Sequence, residues 1–564
     1  NGICQIVQLN GVRLPKWLIK NQKDIFIKGN HTFDGDPDNP AFLELWEKYV
    51  VATLHSINMV YSADDIKNII GIEILNEPTF SSISKYTVPK FQQYLKSEYK
   101  MVAELNKSWG TKYNSFTAIN TPEKISAMFT NDNAYYDWCI FNNRRFVDFY
   151  KFTIKIINDK FKNCHYRFMS KISNGHLWKT RYDYNTGHDR EALSRIMNIN
   201  SCDTRVVAAP TRRFGVRDWN TYCMSFDLLK SFSPEKPLLD TELHNIQTVT
   251  FSRPHMPEFF SGGSLWLGAM HGLNGALIWD MWTNVRLKTK YGGKPFHYAF
   301  GQLLTQPHCL FEFFNESASI EEFQEQVLAF QNAERPVRLL YSLDSAIYDG
   351  RKYLDVIKDA YEGFYFNGVK LGFITPEMIK NRQGLGRLKL LIIPNVRYIK
   401  PSDLLALKKL NEQGIKFLMI GDNCFSLAPR GKIIPDTHLK NVLSWPLGCA
   451  DIYTKKSSNV LKWADIKQVF SLREVSSGAL PVVRSEFCNY HNQVLCFMIN
   501  LGKNARTVEI VNAEKKPVKF EVLHQTAGKA VNGGITLPPY GVALVKINSN
   551  SQSETTQRKI LPEH

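Results

Sequence analysis

Gly71-Ile72-Glu73-Ile74-Leu75-Asn76-Glu77-Pro78 is the stretch whose reading decides the fold. Ile72, Ile74 and Leu75 make a short buried strand that runs abruptly into a polar pair. Pro78 cannot donate to a ladder, so the strand must stop there. Glu77 is thereby delivered at the carboxyl end of a strand, where α/β barrels place their chemistry. A carboxylate after an apolar run is costly to bury unless it is paired or used. A structural salt bridge and a catalytic acid are both open on this stretch alone.

A second stretch, Lys236-Pro237-Leu238-Leu239-Asp240-Thr241-Glu242-Leu243-His244, is again an apolar strand that ends in a Glu. A third, Gly275-Ala276-Leu277-Ile278-Trp279-Asp280-Met281-Trp282, ends in tryptophans. Two Glu residues on separate strand ends, with an aromatic strand end after them, are the constellation a retaining glycosidase needs. One carboxylic acid protonates the leaving oxygen while the other carboxylate attacks the anomeric carbon, the two standing about 5–5.5 Å apart. The acid must keep its proton beside a neighbouring anion, and the nucleophile must stay charged.

Together these motifs resemble the clan of retaining (β/α)8 glycoside hydrolases: Asn-Glu-Pro after strand four, Glu ending strand seven, Trp ending strand eight. The nearer likeness is to glycoside hydrolase family 42, the β-galactosidases, or a sister family with the same three-domain layout. Leu14-Pro15-Lys16-Trp17-Leu18-Ile19 resembles that family's loop after strand three. Leu105-Asn106-Lys107-Ser108-Trp109-Gly110-Thr111-Lys112-Tyr113 resembles its helix and loop after the acid/base. The resemblance implies that Glu77 is the acid/base, Glu242 the nucleophile and Asn76 the partner of the sugar 2-hydroxyl. Pro78 and the sequence Asp-Thr-Glu-Leu-His depart from the family's pattern, which suits a sister family with another sugar preference. The activity implied is β-galactosidase-like, with an exo-β-mannosidase or a glycosidase for an acidic or algal glycan as alternatives. A non-catalytic carbohydrate-binding or assembly protein on a decayed barrel is the alternative of another class.

Four further residues are candidates for holding substrate. A flat indole at Trp279 stacks on the apolar face of a pyranose while its N–H stays free to hydrogen-bond; Trp282 is offered on the same ground. His244, two residues past Glu242, could reach a sugar hydroxyl or be a satisfied structural His. Strand six is read over Cys202–Ala209, which puts Arg212 or Arg213 near the rim, where an Arg could bind a substrate carboxylate or sulfate. It could equally orient Glu242 or face solvent.

At 564 residues, with 44% hydrophobic and 12% aromatic content, the chain holds material for several cores. Residues 1–334 read as the barrel, with Ile3–Leu9 in the strand-three position, so its first two strands are not in this sequence. Residues 335–470 alternate strand and helix, which makes a doubly wound parallel sheet resembling the amidotransferase-like domain that family 42 uses for trimer contacts. Its turn Pro394-Asn395-Val396-Arg397 carries no Cys, so assembly rather than catalysis is expected there. Short alternating strands over 471–548 read as a C-terminal β-sandwich, and 549–564 as a disordered tail. A homo-oligomer, dimer or trimer, is expected.

The ten scattered cysteines form no Cys-x-x-Cys and no zinc-ligand spacing, so neither metal nor cofactor is expected. The pattern leans towards buried free thiols. The net charge of +17 is spread over the whole chain, without a nucleic-acid-binding motif; an oligosaccharide or polysaccharide is the expected partner, not nucleic acid. No apolar run of about 18 residues exists to span a membrane. The first residue is Asn, not Met, so a native start further upstream is expected, and the compartment stays open between cytoplasm, periplasm and secretion.

Overall fold

The structure is a computed structural model that describes residues 4–9, 14–25, 33–81, 83–120, 131–173, 181–209, 211, 213–246, 256–279, 303–435, 438–475, 480–526, 529–531 and 534–547. Six strands form the first sheet: β1 (Gln5–Gln8), β2 (Ile69–Glu73), β3 (Phe168–Ser173), β4 (Ile199–Asp203), β5 (Leu238–Leu243) and β6 (Gly275–Ile278). They pair in chain order and every pair is parallel. The sheet curls as part of a (β/α)8 barrel, with all six carboxyl ends on one rim. Among the described residues β1 and β6 are its two edges.

The helices between the strands follow their local chemistry. After β1 comes Pro40–Val60, whose first turn is capped by Asn39 accepting from the Ala41 N–H and which has Pro at its first position. Its buried stripe is Phe42, Trp46, Val50 and Leu54, while Tyr49 is 41% exposed. After β2 come two helices, Thr87–Tyr99 and Val102–Trp109. The chain breaks between them at Lys100, whose φ is 64°. Asp132–Lys160 follows, burying Trp138, Phe141, Phe146 and Phe149 as expected of a core face.

Five parallel strands make the second sheet: β7 (Val337–Leu340), β8 (Leu371–Ile374), β9 (Leu390–Pro394), β10 (Lys416–Ile420) and β11 (Val442–Trp445). Their order is β11-β10-β9-β7-β8, doubly wound, with β9 buried at all five positions. Among the described residues, strands β8 and β11 are the two edges of this sheet. Both are only four residues long; β8 is buried throughout but has Gly372 inside its apolar run, and β11 is merely half-buried and includes Ser444.

The third part is a sandwich of two antiparallel four-stranded sheets. One holds β12 (Phe470–Glu474), β15 (Arg506–Asn512), β17 (Lys529–Val531) and β18 (Gly534–Leu537). The other holds β13 (Val483–Tyr490), β14 (Gln493–Asn500), β16 (Phe520–Gln525) and β19 (Val542–Ile547). In β14, Cys496 and Met498 face the core between the two sheets. Leu495, Phe497 and Ile499 point the other way, into the core shared with the barrel and the second sheet. Period-two alternation therefore buries both faces of this sheet and fastens the sandwich to the rest of the molecule.

Candidate active site

The β2 ladder ends at Glu73, but the backbone stays extended and enclosed: the Ile74 N–H donates to the Met169 carbonyl at 3.2 Å, and Ile74 and Leu75 are fully buried. The Asn76–Glu77 turn closes this run. Glu77 sits at φ = 39°, a left-handed conformation that costs a non-glycine residue on the order of 1–3 kcal/mol and persists only where its surroundings hold it. Those surroundings are present: the Pro78 carbonyl meets His188 Nε2, and the Phe80 N–H donates to the Thr186 carbonyl at 3.0 Å.

Glu242 comes from β5, where strict alternation would send Thr241 and Glu242 to opposite faces. The β5–β6 register is irregular between Asp240 and Leu243, so both side chains turn to the barrel interior. The Thr241 hydroxyl donates to Glu73 Oε2 at 2.9 Å. The Asp240 carboxyl folds back to accept from the backbone N–H of Glu242 at 3.2 Å and from the Thr204 hydroxyl, which holds the kink.

Around Glu242 the charges are arranged on purpose. Lys171, from β3, forms an ion pair with Glu242 Oε2 and donates to Asn76 Oδ1 at 2.7 Å, its side chain only 4% exposed. His244 Nε2 lies 3.4 Å from Glu242 Oε1 and 3.5 Å from Asp203 Oδ1. Burial alone would raise the Glu242 carboxyl, but His244 and Lys171 overcome it and hold the group below the ordinary range. Lys171 is correspondingly held above the ordinary lysine value, because the hydrogen bond and charge of Glu242 outweigh its burial. Asp203, at the end of β4, is hydrogen-bonded to the Glu77 carboxyl. Burial and the neighbouring Glu77, Glu242 and Asp240 push it far above the usual carboxylate range. Below these, Glu73 is buried against Gln8 Nε2 and raised mainly by desolvation.

Of the expected site residues, Asn76, Glu77, Glu242, His244 and Trp279 come together on one rim. Trp279 extends β6, its backbone N–H donating to the Leu243 carbonyl at 3.0 Å; its ring is 6.4 Å from that of His244, and the residue is 44% exposed. Trp282 and Arg212 lie outside the described residues. Arg213 does not line the site: it binds Asp451 at 3.0 Å, Glu362 and the Pro481 carbonyl in the other two parts of the molecule.

Strand six is corrected. It runs Ile199–Asp203, not 202–209, and the apolar Val206–Ala208 lies beyond it, joined by isolated bridges of Arg205 to His244 and Val207 to Arg217. The strand reads as polar because Asn200 and Ser201 are buried but satisfied, by Ser194 and by the Ser170 carbonyl. The misplaced register hid Asp203 by treating a strand end as a strand start. Lys171 and Glu73 were also missed. Their signal was a charged residue inside an apolar strand, which must be paired if it is buried.

Among the described residues the one group of three side chains with metal-type ligand atoms in mutual reach, within 4.8 Å, is Asp203, Glu242 and His244. Lys171 already pairs with Glu242, and the Asp203 carboxyl is hydrogen-bonded to Glu77.

Comparison with known proteins follows the same line. The family model of glycoside hydrolase family 42, β-galactosidase, matches residues 10–253. The chain is similar to an exo-carrageenase of that family from Bacteroides ovatus, with 21% identity, TM-score 0.80, and 96% of this chain and 75% of that one covered. It is similar to β-galactosidases from Rahnella sp. R3 and from G. stearothermophilus, each 13% identical. Their TM-scores are 0.73 and 0.74, with 97% and 96% of this chain and 88% of each of those covered. Comparison with curated protein sequences returned no match.

Proposed function

We propose that this chain is a retaining (β/α)8 glycoside hydrolase, nearest to family 42, in which Glu77 and Glu242 cleave a terminal β-linked sugar by double displacement. The observation that carries the proposal is the opposite treatment of two neighbouring acids. Glu242 is paired with Lys171 and His244, which hold it below the ordinary carboxylate range, whereas Glu77 is hydrogen-bonded to a second carboxyl, that of Asp203. In the first step a Glu242 oxygen bonds to the anomeric carbon, the glycosidic C–O bond breaks, and the departing oxygen takes a proton from Glu77. In the second, Glu77 takes a proton from water as that water displaces Glu242. Asn76 Oδ1 is occupied by Lys171 and by Gln8 at 3.1 Å, which leaves its Nδ2 to meet the sugar 2-hydroxyl. Trp279 offers the stacking face.

A β-galactoside is the leading substrate. A second reading, an exo-acting enzyme on an acidic or algal glycan, is supported by the exo-carrageenase likeness and by the net charge of +17. Against an anionic group at the cleavage point itself, the floor gathers Glu73, Glu77, Asp203, Asp240 and Glu242 around one lysine; a sulfate would have to bind further out. A panel of aryl β-galactosides, β-mannosides and sulfated galactans separates the two readings. Glu77→Gln should lose roughly 10²–10⁴-fold on substrates with poor leaving groups. Glu242→Gln should lose at least about 10⁴-fold, and azide should partly rescue Glu242→Gly. Undiminished turnover in either Gln variant would end the assignment.

We further read residues 335–470 as an assembly domain of a dimer or trimer. The turn after β9 has the sharp geometry of a nucleophile-bearing elbow, with Asn395 at φ = 50°, but no nucleophile stands there. Sedimentation tests the oligomer.

A further inference from the structure

Three carboxyl groups, not two, meet at the barrel rim, and the third has no part in the two-acid scheme. We propose that Asp203 is the proton store of Glu77, a positioning residue through which the two side chains work as a pair holding a single proton. This rests on the reading of Glu77 as the acid/base.

Two ionised carboxylates are acceptors only, so the hydrogen bond between Asp203 and Glu77 requires that one of them carry a proton. Every charged neighbour of Asp203 bears on where that proton stays. Glu77 faces it from the segment after β2; Glu242, Asp240 and His244 face it from β5; Lys171 faces it from β3. The Lys171 ammonium is spent on Glu242 and Asn76, and His244 Nε2 is shared between Asp203 and Glu242. Asp203, 7% exposed, is left among carboxyls, and the proton is retained.

The charge balance over the two steps is what makes such a pair useful. Before attack, Glu242 carries one negative charge and the Asp203–Glu77 pair carries one. When the pair's proton leaves through Glu77 to the departing oxygen, the pair becomes dianionic, but Glu242 has become a neutral ester, so the total is unchanged. The dianionic pair is a stronger base than one carboxylate, and it recovers its proton from the water that releases Glu242 as an anion. The third carboxyl thus links the strength of the base to the lifetime of the covalent intermediate.

The test compares Asp203→Asn with the unaltered enzyme over pH 4–10 on a phenyl β-glycoside and a 2,4-dinitrophenyl β-glycoside of the preferred sugar. The amide donates a hydrogen bond to Glu77 but has no proton to release. We expect the alkaline limb of kcat/KM for the phenyl substrate to move down by at least about one pH unit, with a loss at pH 7 of roughly 10–100-fold. The dinitrophenyl substrate, whose leaving group needs no proton, should stay within about threefold in kcat/KM. Asp203→Glu should recover the limb in part, and Asp203→Ser, which also cannot release a proton, should reproduce the shift should the Asn variant not fold. Superimposable limbs, or equal losses on both substrates, would overturn the proposal. Glu77→Gln run alongside keeps the failures apart. If it spares the phenyl substrate, the acid/base reading itself falls; if it loses that substrate while Asp203→Asn leaves the limb in place, only the proton store falls.

Discussion

Lys171 shows how much one side chain does at this rim. It neutralises Glu242, fixes the Asn76 amide and is 4% exposed, so its removal leaves a largely buried anion without its partner. Because Glu242 is held below its ordinary value, it binds protons more weakly folded than unfolded. Its contribution to stability is therefore complete above about pH 4.3 and is lost as pH falls through the lowered value. In Lys171→Met the acid limb of kcat/KM should move up by about one pH unit or more, read from a pH–rate profile on an aryl glycoside; an unmoved limb would show that His244 alone holds the charge. Sequence reading reached Glu77 and Glu242 because each stands where an apolar run stops. It did not reach Lys171, Glu73 or Asp203, whose meaning depends on which strand lies beside them.

Among the elements, legibility followed length and apolar periodicity. The long helix Asp132–Lys160 and the strands that end near Glu77 and Glu242 were found from their own residues. β4 was displaced because its buried positions are polar and satisfied across strands, while an apolar loop next to it mimics a strand. The kink that turns Thr241 and Glu242 to the same side is equally invisible in sequence, since it lies in the pairing of β5 with β6. Close packing between elements has its own residue-level marker. In the helix Phe260–Met270, a Cβ at Gly263 would stand 2.4 Å from the Tyr540 backbone oxygen. Rigid backbone cannot yield as a side-chain tip does, so Gly263→Ala should destabilise by about 1–3 kcal/mol, measured by chemical denaturation. A neutral result would mean that helix and turn do not touch this closely.

At the scale of the molecule, the order of barrel, doubly wound sheet and sandwich could be read from the alternation of strands and helices, but the joints between them could not. One joint is a buried charge network. Lys370 Nζ meets Glu486 at 2.7 Å and Arg484 meets it at 3.2 Å, while His271 Nδ1 meets Asp227 at 3.0 Å and Tyr361 donates to Asp227 at 2.6 Å. In sequence these are scattered charges that resemble ordinary surface residues. Burial opposes the His271 cation, but Cys223 and Asp227 outweigh it and raise its pKa to about 10. A group raised above its unfolded value of about 6.5 gives its full stabilisation below that pH and loses it as pH climbs through 10. His271→Gln should therefore cost most stability at pH 6 and progressively less towards pH 10 in urea titrations. A gap independent of pH would place the neutral imidazole there instead.

The covalent intermediate is the most direct witness to two carboxyls sharing one linkage. Incubation with a 2-deoxy-2-fluoro aryl glycoside of the preferred sugar, followed by peptide mass spectrometry, should find the fluorosugar on Glu242, with none on Glu77, Asp203 or Glu73. A label on any other carboxyl, or an enzyme that hydrolyses the parent glycoside with inversion and takes no label, would contradict the account.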